Sequence, residues 1–272
     1  MSLLEENLIK QIACSFKSLP LSTCFKLTLA RFIPWKWRQV LEIKLPYNLR
    51  AYIPVTVIDA VWRNVLHIFW YRDYELVKNF IPKKGWKVID IGCFIGLWLL
   101  KVSRFIGENG IVIGFEPNPL AYKIARMNVE INMLRNAVVH DYAIGAKNGE
   151  SILYIPRDYL NSSLLREYVL DMSGEYIKAL KVRVVTLRRV LETYKLHRID
   201  LVKIDVEGYE EVLLRSCKNI LRGDNIKRLI IEVHKNVVEP GEIMDLLEEL
   251  EWDVVLIDLG LEVQAFIYAI KG

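Results

Sequence analysis

The sequence is short of every feature that would mark a membrane span, a disulfide scaffold or a zinc fold. No run approaches the roughly 18 uncharged apolar residues of a spanning helix. Lys10, Lys17, Lys26 and Arg31 interrupt the apolar stretches near the N-terminus. Glu5 and Glu6 stand where a secretory leader carries basic residues, so no leader is expected and the cytoplasm is the expected compartment. The four cysteines (Cys14, Cys24, Cys93, Cys217) are scattered without a C-x-x-C pair. That spacing argues against a cysteine zinc site or a disulfide framework and suits a reducing compartment. No metal site is expected elsewhere. Glutamine occurs only three times, beside abundant Ile, Lys, Arg and Glu, a bias associated with thermophiles. Internal repeats and low-complexity linkers are also lacking.

What is present is apolar patterning: hydrophobic residues make up 53% of 272, enough for one substantial core with a modest N-terminal extension. Charge is unevenly spread. Residues 1–80 carry 11 basic and 6 acidic side chains, and residues 231–272 carry 2 and 10. With a chain total of +4, the middle is left at +7. A basic front can attract phosphate, nucleic acid or an anionic membrane, but at this magnitude an ordinary solvated surface is the favoured reading.

Residues 1–33 read as amphipathic helical segments broken at Pro20 and Pro34, with Leu4, Leu8, Ile12 and Phe16 at i+4 spacing. Val40–Leu45 and Arg50–Val55 flank the turn Pro46-Tyr47-Asn48 and read as a β-hairpin. An aromatic-rich helix is expected over Val57–Phe80, ended by Ile81-Pro82. These 80 residues form a helical and hairpin extension to a domain over 81–272. From Lys87 onward, strand-like apolar runs alternate with helical periods: Val88–Ile91, Leu97–Phe105, Ile111–Phe115, Leu120–Met133 and Val138–Tyr142. After a hairpin-like insertion come Leu201–Val206, Glu210–Ile220, Arg228–Val233 and Gly241–Glu251. Such alternation builds an α/β, doubly wound, Rossmann-like parallel sheet covered on both faces. Asp253–Asp258 and Val263–Ala269 are too close for a helical crossover, so the sheet ends in an antiparallel hairpin.

Ligands bind such sheets outside the carboxyl ends of the strands. The loop Asp90-Ile91-Gly92-Cys93-Phe94-Ile95-Gly96 follows the first strand and lies there. Gly92 permits a sharp turn and close ligand approach, and Gly96 permits tight helix packing. Glu116 ends the next strand about 20 residues on, where a carboxylate accepts ribose hydroxyls. A dinucleotide loop has a third glycine where this chain has Phe94, whose ring would crowd a pyrophosphate. Asp90 would also repel phosphates, whereas S-adenosylmethionine has no phosphate and carries an ammonium and a sulfonium. Asp90 suits the ammonium and Phe94 suits cationic charge, so S-adenosylmethionine is the expected cofactor. The third strand ends in His140-Asp141-Tyr142-Ala143, where Asp141 can accept from an adenine amino group and Tyr142 can pack on its ring.

Lys203-Ile204-Asp205-Val206-Glu207-Gly208 is the second informative stretch. A lysine in a buried strand needs a partner, and Glu232 on the next strand is the expected one. Asp205 and Glu207 leave the strand where an acceptor must meet the methyl group. With His234 they are the candidate catalytic groups: the acids position the acceptor and histidine has the most suitable ordinary pKa for a base.

These stretches together resemble the FkbM family of methyltransferases. Val88–Gly96 resembles its first motif, and Phe115-Glu116-Pro117-Asn118-Pro119 its ribose motif, which adds Pro117 to the expected cofactor contacts. Asn128 and Asn132, Ala143-Ile144-Gly145 with Gly149, Thr186-Leu187, Lys203–Gly208 with Glu210, and Ile231-Glu232-Val233-His234 are similar to later motifs, in register over residues 71–258. The resemblance implies a seven-stranded class I sheet and methyl transfer from S-adenosylmethionine, typically to a hydroxyl of a small molecule or glycan. The chain departs from the family pattern at Cys93-Phe94, usually Ala-Asn, and at Arg188, usually Asp. Three other readings stay open. Trp35, Lys36, Trp37 and Arg38 suit RNA stacking and an RNA methyltransferase. Residues 1–38 suit a membrane surface or a homodimer. A non-catalytic cofactor-binding module is the third.

Overall fold

Near-continuous runs of Val, Ile and Leu form the central strands because both sheet faces are covered. The computed structural model describes residues 13–17, 19–32, 40–157 and 161–272. Leu4, Leu8, Ile12 and the segment Trp35–Arg38 therefore lie outside the described residues. Residues 13–17 are helical, and α1 (Leu21–Phe32) follows. Leu21, Phe25 and Leu29 form an exposed apolar row along α1. Strands β1 (Val40–Leu45) and β2 (Leu49–Pro54) form the expected antiparallel hairpin. Tyr47 and Asn48 both take positive φ at its turn (61° and 57°), the conformation that matches strand twist. Helix α2 (Ile58–Leu66) runs into a π-helical turn, His67–Tyr71. The helix expected as far as Phe80 stops there, because Arg72 is left-handed at φ 59°.

The parallel region follows as β3 (Lys87–Ile91), α3 (Leu97–Ile106), β4 (Ile111–Phe115), α4 (Pro119–Ile131) and β5 (Ala137–His140). Asn118 caps α4 by accepting from Leu120 N at 3.0 Å, with Pro119 in the first turn. The insertion is a three-stranded sheet, β6 (Ala143–Ile144), β7 (Gly149–Ile155) and β8 (Lys178–Val185), with α5 (Arg166–Ser173) between the last two. After α6 (Leu187–Thr193) come β9 (Leu201–Ile204), α7 (Glu210–Ser216) and α8 (Lys218–Leu221), a break at Cys217 in the single helix expected there. Strand β10 (Arg228–His234), α9 (Pro240–Glu249), β11 (Trp252–Ile257) and β12 (Gln264–Lys271) complete the chain.

Seven strands form one sheet in the order β11-β12-β10-β9-β3-β4-β5. Strand β12 is antiparallel to both β10 and β11, as the short connection requires. The chain winds outward from β3 through β4 and β5, then returns to β9 and β10 on the other side. The switch point therefore lies between β3 and β9, and their carboxyl ends open the crevice. Alternate residues feed two cores: Val88, Val112, Leu201 and Ile230 face the hairpin and α1–α4, whereas Ile89, Ile113, Val202 and Ile231 face α7 and α9.

Two buried asparagines dock the hairpin on α4. Asn128 accepts from Tyr52 N (2.6 Å) and donates to Tyr52 O (3.1 Å) and Ile95 O (2.9 Å). One turn on, Asn132 repeats the pattern with Arg50 N (2.8 Å) and Arg50 O (2.6 Å). The two amides satisfy the free edge of β2 as a neighbouring strand would.

Candidate active site

Strand β3 ends in a loop folded by three positive φ values: Gly92 (78°), Phe94 (48°) and Gly96 (80°). A Cβ on Gly92 would lie 1.7 Å from the Asp205 carbonyl oxygen, so this glycine is required by close approach of β9 rather than by a ligand. Glu116, at the tip of β4, is nearly buried. Its Oε2 accepts from Phe94 N and its Oε1 from Asn118 N, both at 2.8 Å. Burial raises its carboxyl to about 7, and the two backbone donors only partly oppose this. Each oxygen keeps a second lone pair, so the carboxylate can still accept two hydroxyls.

The cavity beside this loop measures about 370 Å³ and is walled by the ends of β3, β4, β9 and β10. Of the expected residues, Gly92, Phe94, Glu116, Pro117 and Ala143 line it, as do Asp205 and Glu207. Asp90, Cys93, Gly96, Asp141, Tyr142 and His234 stand off its wall. Asp90 is wholly buried, and its Oδ1 is 3.3 Å from Lys203 Nζ. The expected Lys203–Glu232 pair is thereby replaced, because β3–β9 register sets Asp90 directly beside Lys203. Lys203 also contacts Asp205 Oδ2 (3.1 Å) and Gly92 O (3.2 Å) and lies over the Tyr74 ring. Burial lifts Asp90 to about 6 despite the lysine, and Lys203 is held above its ordinary value, since Asp205 and Asp90 outweigh burial.

Asp141 is exposed, and Tyr142 stacks on His140, which in turn stacks on Phe115. These rings form a column that meets the cavity at Phe115, and neither His140 nor Tyr142 lines it. Cys93 is buried with its Sγ against Gly114, and burial pushes its thiol up.

Four more groups complete the acidic end, all outside the motifs that drew attention in the sequence. Tyr74 donates to Glu232, Gln264 Nε2 donates to Glu232 Oε1 at 2.7 Å, and Tyr168 donates to Glu207. Burial and the nearby Asp205 raise Glu232 to about 8. His67 also lines the cavity, with Nδ1 bonded to the buried Asp73. Tyr74 and His67 belong to the turns before β3, and no spacing in the sequence links them to Glu232. The histidine assigned as base does not reach the cavity. His234 is buried, with Nδ1 2.8 Å from Glu210 Oε1 and Nε2 3.1 Å from Glu207 Oε2. Burial lowers its pKa, but the two carboxylates more than reverse this, so the imidazole is held well above its ordinary value. Both ring nitrogens are turned toward carboxylates, so neither is presented to a substrate in the cavity.

The Methyltransferase FkbM domain model matches residues 90–252, more than half of the chain. The chain belongs to the FkbM methyltransferase family. A curated relative, Methyltransferase 1 of Beauveria bassiana (strain ARSEF 2860), is 26% identical over 160 residues. That match spans 54% of this chain and 64% of the relative, just under two thirds of its length. Among solved structures, an S-adenosylmethionine-dependent methyltransferase from Aquifex aeolicus is similar at 16% identity and TM-score 0.46, over 76% of this chain and 92% of that one. Aeropyrum pernix fibrillarin with natively bound S-adenosylmethionine is similar at 16% identity and TM-score 0.43, over 86% and 95%.

The FkbM domain is an S-adenosylmethionine-dependent methyltransferase domain, and the site's chemistry fits that cofactor. Glu116 would hold the ribose, while Gly92 and Phe94 offer backbone and ring surface beside it. Where FkbM loops usually carry Ala-Asn, the polar position is here the Phe94 ring. Arg188, the second departure, lies in α6 and lines a separate surface hollow.

Proposed function

We propose that the protein transfers the methyl group of S-adenosylmethionine to a hydroxyl oxygen of a small molecule or glycan. The observation that carries this reading is the acidity of the cavity beyond the cofactor loop. Asp205, Glu207 and Glu232 face it together, against Arg63 and His67. A polyol finds several carboxyl oxygens there as hydrogen-bond partners, whereas Arg63 and His67 are few basic side chains for the phosphates of an RNA strand. The methyl carbon is already activated by its sulfonium, so the protein's task is alignment. In this reading Asp205 and Glu207 accept the acceptor's O–H and fix its oxygen, supported by the bonds of Tyr74 and Lys203 to Asp205 and of Tyr168 to Glu207. Either acid can receive the hydroxyl proton as the O–CH₃ bond forms and the C–S bond breaks.

Incubation with methyl-labelled cofactor and fractionated small molecules, glycans and RNA tests the reading. Label is expected in a nuclease-resistant product whose methyl survives mild base, as an ether does. Label confined to a nuclease-sensitive fraction would favour the RNA methyltransferase instead, and full cofactor binding without any transfer would favour a non-catalytic module.

A further inference from the structure

His234 presents a contradiction that a proton alone resolves poorly. Its Nδ1 faces the fully buried Glu210 at 2.8 Å, which fixes the ring proton on that nitrogen. Nε2 then stands 3.1 Å from Glu207 Oε2, and two electron-rich atoms at that distance require a proton or a cation between them. A second ring proton would supply it, yet Nε2 has no hydrogen-bond partner among the described residues. A metal ion shared by the two atoms would supply the charge without a hydrogen bond. Bonds of about 2.0–2.2 Å to nitrogen and oxygen leave neighbouring ligand atoms about 3 Å apart.

We propose that Asp205, Glu207 and His234 hold a divalent transition-metal ion at the acceptor end of the cavity. One ligand atom from each lies within 4.8 Å of the others. Asp205 and Glu207 follow the end of β9, and His234 ends β10 on the adjoining parallel strand, so the sheet brings the three together. Both Lys203 and Tyr74 engage Asp205 Oδ2, which leaves Oδ1 for the ion. Each ligand has an outer partner that orients it: Glu210 behind His234, Tyr168 on Glu207, Lys203 on Asp205. Imidazole favours zinc-like ions and carboxylates favour manganese-like ones, so the mixed set selects Mn²⁺ or Zn²⁺ over Ca²⁺. The sequence, with no Cys or His ligand spacing, gave no sign of such a site.

The existence of this site is independent of the proposed methyl transfer, and its role rests on it. Protein ligands fill three positions and leave others open to the acceptor hydroxyl. Coordination there acidifies the hydroxyl. With Asp205 and Glu207 serving as ligands, the proton passes to water instead of to either acid, the oxygen's electron pair forms the bond to the methyl carbon, and the C–S pair returns to sulfur as a neutral thioether.

Chelator-stripped full-length protein titrated with Mn²⁺, with free ion followed by electron paramagnetic resonance, tests the site. One ion per chain is expected. His234→Gln and Asp205→Asn should each weaken uptake at least tenfold, and Glu210→Gln roughly tenfold through loss of orientation. Electron-spin-echo spectra of the wild-type protein should show coupling to an imidazole nitrogen, a readout that stands even where a variant fails to fold. Absence of Mn²⁺ and Zn²⁺ uptake at about 1 mM, uptake unchanged in folded His234→Gln, or bound ion without nitrogen coupling would each overturn the site. Calorimetry with S-adenosylmethionine separates the two readings. Cofactor binding without ion uptake removes the metal and keeps the methyltransferase. Ion uptake without cofactor binding does the reverse.

Discussion

Glu116 and His234 are both legible as residues, but only Glu116 lines the cavity. Glu116 is placed by a local rule, the tip of the strand after the glycine loop, and the structure leaves it able to accept. Glu116→Ala should weaken S-adenosylmethionine binding by roughly 1.5–3 kcal/mol, the range for charge-assisted hydrogen bonds, and calorimetry on the folded variant measures it. The ionised form is the one that accepts ribose hydroxyls, and its carboxyl sits at about 7. Affinity should therefore fall as pH drops through 7, about tenfold between pH 8 and 6. Glu116→Gln should lose that dependence. If the variant keeps the same pH profile, another group governs it. The role of His234 depends on Glu207 and Glu210, whose approach no spacing announces, and so the sequence suggested a free base where the structure holds a caged ring. Asp90 likewise has a partner that no spacing announces. Its strand neighbour is Lys203, and neighbours across a sheet are 113 residues apart in the chain.

The elements were the most legible level, because β and α periods are local. The alternation after Lys87, the antiparallel ending and the hairpin at Pro46-Tyr47-Asn48 all follow from patterns of two and 3.6. What patterns could not say is how elements dock. Asn128 and Asn132 stood out only by resemblance, yet they bind the hairpin edge to α4. Asn128→Ala strands the Tyr52 amide and carbonyl in a buried seam, and should cost roughly 2–4 kcal/mol in denaturant unfolding. A loss below about 0.5 kcal/mol would show that water replaces the amide. Gly92→Ala drives a methyl into the Asp205 carbonyl from a left-handed backbone, so β3 and β9 must separate. The expected outcome is poor folding, or a stable protein that has lost cofactor binding. Wild-type affinity with wild-type stability would contradict the packing role of Gly92.

For the whole molecule, buried acids dominate the response to pH. Asp90, Glu116 and Glu232 are raised to about 6, 7 and 8, chiefly by burial. Folded protein thus retains protons that the unfolded chain releases above the ordinary carboxylate range. Their contribution is full below about pH 4 and is lost as pH rises through 6 to 8, and the raised His234 acts in the same direction. The melting temperature of the unliganded protein should fall between pH 5 and 8, and Glu232→Gln should flatten the upper part of that fall. A melting temperature that rises across the window would show that other groups control it. Among the described residues no helix is long and apolar enough to cross a membrane. By itself the sequence determined the order of elements, the cofactor and the family, since each rests on residues close together in the chain. Only the tertiary structure decided which charges meet. Lys203 with Asp90, His234 between Glu207 and Glu210, and Tyr74 on Glu232 are pairings fixed by strand register and burial, and a linear pattern carries neither.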